Sequence, residues 1–362
     1  MVATVTLADV AQRAGVSRAV AGHVLNQGRG NTRVGVEAVA AVRTAAAALG
    51  YIPNNAALQL RGRRSMTYGL LVESSGDPLR SFLVQHLDEQ AVRHGCRLLI
   101  GNTVADKVEF SRNLDDFRQR GVDGVICVMR RLTPGQRTTL ATLFPHTVFY
   151  SDVANVEAVA VSPDQGAAGR LAVEHLVSVG CTRVAFAMMS APERADAARL
   201  AGFRSAVSVS AAKPRLIFQG TAPRGSFAWE WSAEAVAEAV DQAIDALVHR
   251  GHADGLVVQN DFWASIFLRR LRVQGIQVPQ QVAVVGYLNH YLAEWTDPPL
   301  STIDLDHRAA AVALVAEVER RIASESLSAA TTFSAVAAVT ATAISPRLIS
   351  RCSSLRPHPG TP

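Results

Sequence analysis

The sequence predicts a small all-α helix-turn-helix head, followed by an α/β body of two lobes, each built on a parallel sheet with helices on both faces. Three observations predict this fold class. The first 50 residues hold three short helical patterns separated by glycines, apolar runs alternate with helical patterns from Tyr68 onward, and this alternation restarts at Gly166. Such alternation is typical of parallel βαβ units. A chain of 362 residues is long enough for two or three structural units.

Positive charge is concentrated in the head. Residues 1–64 contain eight arginines against Asp9 and Glu37, a net charge of +6, whereas the rest of the chain has 28 basic and 29 acidic residues. A basic head on an almost neutral body is typical of a protein that binds a polyanion. An unstructured basic tail is the alternative, but such a tail would lack the apolar periodicity of this segment.

Start and stop signals divide the head into three helices. Thr6 and Asp9 have the spacing of a capping box, and apolar residues follow at helical intervals. Gly15 ends this helix and Ser17 caps a second one. The expected inward face of the second helix consists of Val20, Val24 and Leu25. A third helix is expected within residues 35–50, because glycines bound an apolar repeat there.

The second helix is the candidate for reading DNA. In a helix-turn-helix this helix lies in the major groove, where its first residues meet base edges. Its exposed candidates are Arg18, Ala19 and His23. Arg18 can donate two hydrogen bonds to a guanine edge, whereas Ala19 offers only apolar contact to a thymine methyl. On an isolated helix Arg18 would be a solvated charge, but its place just after the cap of this helix favours base contact.

The body consists of alternating strands and helices. The expected strands are YGLLV, CRLLI, DGVICVM, TVFY, RVAFAM, PRLIF, DGLVV and VAVVG. The expected helices cover residues 83–94, 113–120, 166–179, 197–209, 233–250 and 264–275. Open parallel sheets bind ligands beyond the carboxyl ends of their strands, and two facing lobes form a cleft that can close on a ligand.

Three segments of the head and linker, VTLADVAQRAGVS, the VLN at 24–26 and LGYIPNNAALQLRG at 49–62, together resemble the lactose/galactose repressor (LacI/GalR) family. The resemblance implies a transcription regulator whose hinge helix folds when two subunits meet on DNA. Leu60 would then wedge into the minor groove and kink the duplex; ordinary core packing is its alternative role. The expected DNA-contacting residues, from helix position and from the resemblance, are Thr6, Ser17, Arg18, Ala19, His23, Asn26, Arg29, Arg33, Asn54, Ala57, Leu60 and Arg61.

The recognition helix departs from the family pattern. Val20, Ala21, Gly22 and His23 stand where the family usually has T-V-S-R. A hydroxyl and an arginine are therefore missing, and the operator sequence does not transfer from better-known members. Arg29 and Arg33 in the following loop can restore phosphate contacts.

The body resembles the periplasmic-binding-protein-like sensor of the same family, so that the resemblance runs from about Val5 to Ser353. Segments that show it include RHGCRLLIGNT, HLVSVGCTRVAF and GIQVPQQVAVVGY. The effector-binding residues it implies are Asp77, Asp164, Arg199, Trp231, Asn260 and Asp261. Repression relieved by the ligand is the behaviour that it implies.

These residues suit a polar metabolite. Arg199 presents a fork of donors to a carboxylate, phosphate or hydroxyl pair, and Trp231 offers a flat stacking wall. A buried guanidinium must be met by a ligand or by an internal acid. Asp164 and Asp261 could instead be cap or turn residues, and Trp231 could be core. Leu288 stands where the family commonly has an acid that holds a ligand hydroxyl, and leucine cannot accept that hydrogen bond.

The predicted organisation has four parts. These are a head over 1–50, a hinge helix over 51–64, an effector-binding and dimerisation domain of two lobes over 65–350, and a disordered tail over 351–362. A homodimer is expected, because one recognition helix reads few bases and symmetric half-sites double the reading. The expected partners are pseudo-palindromic double-stranded DNA and a small polar metabolite such as a sugar or sugar derivative. A cytoplasmic location, on the nucleoid when bound to the operator, is expected because no secretory signal or membrane segment is recognisable.

Three other classes of protein fit these residues less well: an enzyme, a solute-binding protein and a DNA-binding protein without an effector. Ser210 and Lys213 fit S-x-x-K, but no accompanying catalytic motif is present, so an enzyme is not expected. Neither a cofactor nor a metal site is expected, since the four cysteines lie far apart. A solute-binding protein would share the body but lack the head. A ligand-independent or nucleoid-type DNA-binding protein would fit the head but leaves the large body without a role.

Overall fold

The computed structural model describes most of the chain. The described residues are 5–25, 34–51, 64–73, 78–103, 107–129, 132–151, 159–190, 194–209, 216–222, 232–328 and 342–356. The chain divides into two compact units, Met1–Ser65 and Met66–Pro362. Residues 52–63, which make up most of the predicted hinge helix, lie outside the described residues.

The described part of the first unit is a three-helix domain. Its helices are α1 (Leu7–Arg13), α2 (Arg18–Leu25) and α3 (Val36–Leu49). The capping box at α1 is present, because Thr6 N donates to Asp9 Oδ2 at 2.8 Å and Asp9 N donates to Thr6 Oγ1 at 3.4 Å. Ser17 Oγ accepts from Val20 N at 3.2 Å, as expected of a cap.

The inward face of α2 differs by one position from the expectation. Ala21 is completely buried and packs with Val10 and Val42, whereas Val20 is only half-buried. Ala21 therefore belongs to the core of the three-helix domain. Val24 and Leu25 pack against the same core, as predicted.

The second unit is an α/β body of twelve strands and nine helices among its described residues. The strands are β1 (Thr67–Val72), β2 (Arg97–Asn102), β3 (Gly124–Cys127), β4 (Thr147–Tyr150), β5 (Val159–Pro163), β6 (Val184–Ser190), β7 (Leu216–Ala222), β8 (Gly255–Val258), β9 (Ala283–Tyr287), β10 (Ser301–Asp304), β11 (Thr342–Ile344) and β12 (Arg347–Ile349). The helices are α4 (Pro78–Arg93), α5 (Lys107–Gln119), α6 (Pro134–Leu143), α7 (Gln165–Ser178), α8 (Arg194–Val209), α9 (Ala233–Ile244, continued by a π-helical turn over Asp245–His249), α10 (Asp261–Val273), α11 (Leu292–Trp295) and α12 (His307–Ser328).

The strands form two six-stranded sheets, one in each lobe. The first sheet has the order β2-β1-β3-β4-β5-β11 and is parallel throughout. The second has the order β7-β6-β8-β9-β10-β12, in which only β12 is antiparallel to its neighbour. Helices cover both faces of each sheet: α4 and α12 lie opposite α5 and α6, and α7 and α8 lie opposite α9 and α10. The predicted fold class is confirmed.

The chain passes between the lobes at three places. It leaves β5 of the first sheet and enters α7 of the second lobe, returns from β10 into α12, and crosses again between β11 and β12. Two of these connections are bonded to each other, since Asp164 N donates to Ile344 O at 2.9 Å. All eight predicted strands are present, while β5, β10, β11 and β12, which lead into or out of the crossings, were not predicted.

The disordered tail predicted for residues 351–362 is wrong at its beginning. Ser353 and Ser354 are completely buried in the second lobe. Ser353 N donates to Pro299 O, and Ser353 O accepts from Val284 N, both at 2.9 Å. The segment is held by these polar contacts, which a search for apolar periodicity does not detect. Residues 357–362 lie outside the described residues.

Within the described residues, no helix is both long and apolar enough to cross a bilayer.

Candidate functional site

The start of α2 presents the candidate DNA-reading side chains to solvent. Ser17, Arg18 and Ala19 are exposed, while His23, one turn later, is half-buried. Thr6 is exposed at the start of α1. These positions leave Arg18 and Ala19 open to a base edge. The remaining predicted DNA contacts, Asn26, Arg29, Arg33, Asn54, Ala57, Leu60 and Arg61, lie outside the described residues.

A second candidate site lies in the body, at the carboxyl edge of the second sheet, and the close crossing of α7 and α8 builds it. Glycines permit this crossing: a Cβ at Gly169 would clash with the carbonyl oxygen of Arg199, and one at Gly202 would clash with that of Gly166. The backbones therefore touch, and the side chain of Arg199 on α8 reaches the first residue of α7.

Arg199 is buried and held by protein groups. Its Nε and Nη2 donate to Gln165 Oε1 at 3.1 and 2.9 Å, and its Nη1 donates to Gln259 O at 2.8 Å. Asp196 Oδ1 lies 3.6 Å from Nη1. The guanidinium also lies over the ring of Tyr287, 4.2 Å from the centroid. Protein groups thus compensate the buried cation, and one of them is the carboxylate of Asp196. Of the two partners expected for a buried Arg199, a ligand or an internal acid, the structure contains the acid.

Gln259 links this cluster to two strands. It follows the last residue of β8, and its Oε1 accepts from Met189 N of β6 at 3.0 Å. Its Nε2 donates to Asp196 Oδ2 at 3.1 Å. The ends of β6 and β8 are therefore tied to α8 by one amide side chain. We call Gln165, Asp196, Arg199 and Gln259 the Arg199 cluster.

Asp261 is a buried carboxylate at the start of α10. Its Oδ2 accepts from His290 N at 2.7 Å, and its Oδ1 accepts from Thr302 Oγ1 at 2.6 Å. Burial raises the pKa of Asp261 to about 7, against the lowering effect of these hydrogen bonds. Gly286 leaves room for it, because a Cβ there would overlap Oδ1. Asp261 therefore fixes the loop that follows β9.

That loop contains Leu288, which stands where the LacI/GalR family commonly has an acidic residue. Leu288 and Asn289 both have left-handed backbones, with φ of 99° and 49°. The Leu288 side chain packs against the core of the second lobe, and Asn289 Oδ1 accepts from Arg351 Nη2 at 3.0 Å. A β-branched or bulky residue with positive φ is uncommon, and such strain persists only where surrounding contacts impose it.

The same loop touches the first lobe. The ring of Phe82 on α4 meets His290 edge-on at 5.0 Å between centroids, and Tyr291 at 6.0 Å. His290 is buried, whereas Tyr291 is 59% exposed. Aromatic pairs of this geometry are favourable. The contact therefore joins the two lobes.

The other predicted effector residues have mixed positions. Asp164 is exposed and caps α7, where its Oδ1 accepts from Ala167 N at 2.8 Å. Asn260 is half-buried and caps α10, where its Oδ1 accepts from Trp263 N at 3.0 Å. A cap was the alternative role predicted for Asp164. In both Asp164 and Asn260, the cap occupies one side-chain oxygen. Asp77 and Trp231 lie outside the described residues.

Sequence reasoning missed Gln165, Asp196, Gln259 and Tyr287. Only the position of Gln165, directly after the predicted effector-binding residue Asp164, was a usable signal. Within the described ranges, no three or more His, Cys, Asp or Glu side chains are arranged to hold a metal ion.

Comparisons with known proteins agree with this architecture. Residues 6–54 match the model of bacterial regulatory proteins of the lacI family, and residues 173–353 match the periplasmic binding protein-like domain. The ribose operon repressor of Escherichia coli (strain K12) is 28% identical over 300 residues, which are 82% of this chain and 87% of that protein.

Solved structures show the same fold. The lac repressor dimer bound to operator and the anti-inducer ONPF superposes with a TM-score of 0.75 at 22% identity, over 98% of this chain and 100% of that one. The complex of the transcriptional regulator CelR with cellobiose has a TM-score of 0.63 at 22% identity, over 96% of this chain and 99% of that one.

Proposed function

The chain belongs to the LacI family of bacterial regulatory proteins, and we propose that it is a sequence-specific DNA-binding transcription repressor whose operator binding is controlled by a small-molecule effector in the cleft between its lobes. One observation supports this most strongly: a single chain joins a basic helix-turn-helix head to a two-lobed α/β body. The head supplies DNA binding, and the body supplies a place for a ligand.

DNA reading is assigned to the start of α2. Arg18 and Ala19 are exposed there, and the net charge of +6 over residues 1–64 provides attraction to phosphates. Arg18 would bind a guanine edge and Ala19 a thymine methyl. Because α2 offers few such side chains, we propose a homodimer on a pseudo-palindromic operator. This assembly would work on the nucleoid in the cytoplasm.

The effector is proposed to be a small polar metabolite, such as a sugar or a sugar derivative. Similar proteins support this class, since they include a ribose operon repressor and a transcriptional regulator in complex with cellobiose. Asp77, Asp164, Trp231 and Asn260 are proposed to contact it. Arg199 and Asp261 are proposed to shape the cleft, because protein groups already bind their polar atoms.

Selection from a random duplex library tests the DNA-binding part. The full chain should enrich a pseudo-palindrome with half-sites about 10 base pairs apart or a multiple of that spacing, and Arg18→Ala should relax the preference at one position in each half-site. Arg204→Ala is the control, because Arg204 is an exposed arginine of α8 in the body. Sedimentation should show a dimer. Equal affinity for all sequences would favour a nucleoid-type binder instead, and a monomer with full operator affinity would contradict the dimer.

A further inference from the structure

One buried amide in the Arg199 cluster has a donor that no described residue accepts. Gln165 is the first residue of α7, directly after the chain crosses from the first lobe, and it is 3% exposed. It lies at the carboxyl edge of the second sheet, because Arg199 joins it to the residue that follows β8. This edge is where open parallel sheets bind their ligands.

The orientation of this amide is fixed by charge. Gln165 Oε1 accepts two hydrogen bonds from one guanidinium, from Nε and Nη2 of Arg199. A flipped amide would place its own N–H groups against those donors, and neither side could then accept. The oxygen must therefore face Arg199, and Nε2 must face away from it.

Arg199 cannot move easily to release Gln165. Its Nη1 is bonded to Gln259 O, its cation lies near Asp196, and Tyr287 supports its face. Arg199 therefore acts as a positioning residue that orients the amide. The result is a rigid donor directed away from the cluster.

Nε2 of Gln165 is buried from solvent and has no hydrogen-bond partner among the described residues. Buried polar atoms in native proteins are almost always satisfied, so that this donor calls for a partner, which a bound molecule or an ordered water would supply. An N–H donor requires an acceptor atom.

We propose that Gln165 Nε2 donates a hydrogen bond to an acceptor oxygen or nitrogen of the effector, and that Gln165 is thereby a specificity-determining residue of the cleft. Hydroxyl, carbonyl, carboxylate and phosphate oxygens satisfy this donor, whereas an ammonium group does not. This inference rests on the proposed function, because it needs an effector in the cleft.

Gln165→Glu tests the inference in the full chain. Glutamate keeps an oxygen for Arg199 but removes the N–H donor and places a second acceptor where the effector's acceptor would lie. The probes are D-ribose, D-gluconate and D-ribose 5-phosphate, which present hydroxyl, carboxylate and phosphate oxygens. Their effects on operator affinity and on the melting temperature are measured for both proteins. Gln280→Glu is the matched control, since Gln280 is exposed in the segment before β9, at the opposite edge of the sheet.

A probe that acts on the wild type should bind Gln165→Glu about tenfold more weakly or worse. Gln280→Glu should respond to the same probe as the wild type does. An equal response of Gln165→Glu and wild type would overturn this inference alone. If no probe affects the wild type, the proposed function fails and the inference fails with it.

A crystal structure of the wild type with the active probe decides the question if Gln165→Glu does not fold. The expected result is an acceptor atom of the probe about 2.7–3.2 Å from Nε2. An ordered water at that position, with the probe elsewhere, would overturn the inference.

Discussion

Replacing Arg199 by alanine should destabilise the body strongly. The side chain is 7% exposed and its partner Asp196 is 10% exposed, so that solvent screens the pair little. Removal would deprive Gln165 Oε1 and Gln259 O of their donors and leave Asp196 without its cation. Breaking a buried pair by removing one partner typically costs about 3–5 kcal/mol. At about 2–4 °C per kcal/mol for a large domain, the melting temperature should fall by roughly 6–20 °C.

Thermal unfolding followed by circular dichroism measures this effect. Arg204→Ala is the control on the same helix, because Arg204 is exposed and should change the melting temperature by no more than about 2 °C. Arg199→Lys should fall between the two, since an ammonium keeps the charge but loses the fork that binds Gln165. An Arg199→Ala protein that melts within about 2 °C of wild type and yet ignores the effector would refute this reasoning. Arg199 would then be a ligand contact and not a structural cation.

Four further results are expected. The logarithm of operator affinity should fall steeply with the logarithm of salt concentration, by about 0.9 per phosphate contact, and deleting residues 1–64 should abolish this slope; an unchanged slope would locate the contacts elsewhere. Leu60→Ala should weaken operator binding more than random-DNA binding, because only a correctly centred site permits the wedge and kink; equal losses would indicate packing. Burial lowers the pKa of His175, so the unfolded protein binds a proton at this residue more readily than the folded protein does. In urea unfolding, the stability of wild type relative to His175→Gln should therefore fall as the pH drops below about 6.5. A pH-independent difference would contradict this. Burial raises the pKa of Asp261 to about 7, so between pH 8 and 5 the folded protein takes up a proton at this carboxyl that the unfolded protein does not. The stability of wild type relative to Asp261→Asn should therefore rise as the pH falls from 8 to 5. A constant difference would show that the pKa of this carboxylate is ordinary.

The architecture could be predicted because short sequence patterns mark most of its helices and strands. Glycine stops and caps marked the head helices, and apolar runs of four to seven residues marked the eight strands, since buried parallel strands need continuous apolar sequence. The crossing strands lack this signal. β11 and β12 have three residues each, too short for periodicity, and their pairing is decided by β5 and β10.

The candidate site could be predicted only in part. The resemblance to the LacI/GalR family implied Asp164, Arg199 and Asp261, but only the structure shows one of them as a helix cap and the other two as buried, bonded charges. The roles of Gln165 and Gln259 depend on their contacts with Arg199, which is 34 positions from the first and 60 positions from the second in sequence. Glutamine is ordinary on surfaces, so that only its burial reveals its function. The ordered segment at Ser353 and Ser354 was missed for the same reason, because serine is also common on surfaces and only its burial reveals its contacts.

The measurement that tests the central claim most directly is operator affinity of the full chain with and without a small polar metabolite. Fluorescence anisotropy on the selected pseudo-palindrome, repeated with D-ribose, D-gluconate and D-ribose 5-phosphate, supplies it. We predict that one of these molecules weakens operator binding by about 5–150-fold, the usual range of coupling between two sites, while binding to random DNA stays the same. Operator affinity that no metabolite changes, in a protein that still selects its DNA sequence, would contradict control by an effector.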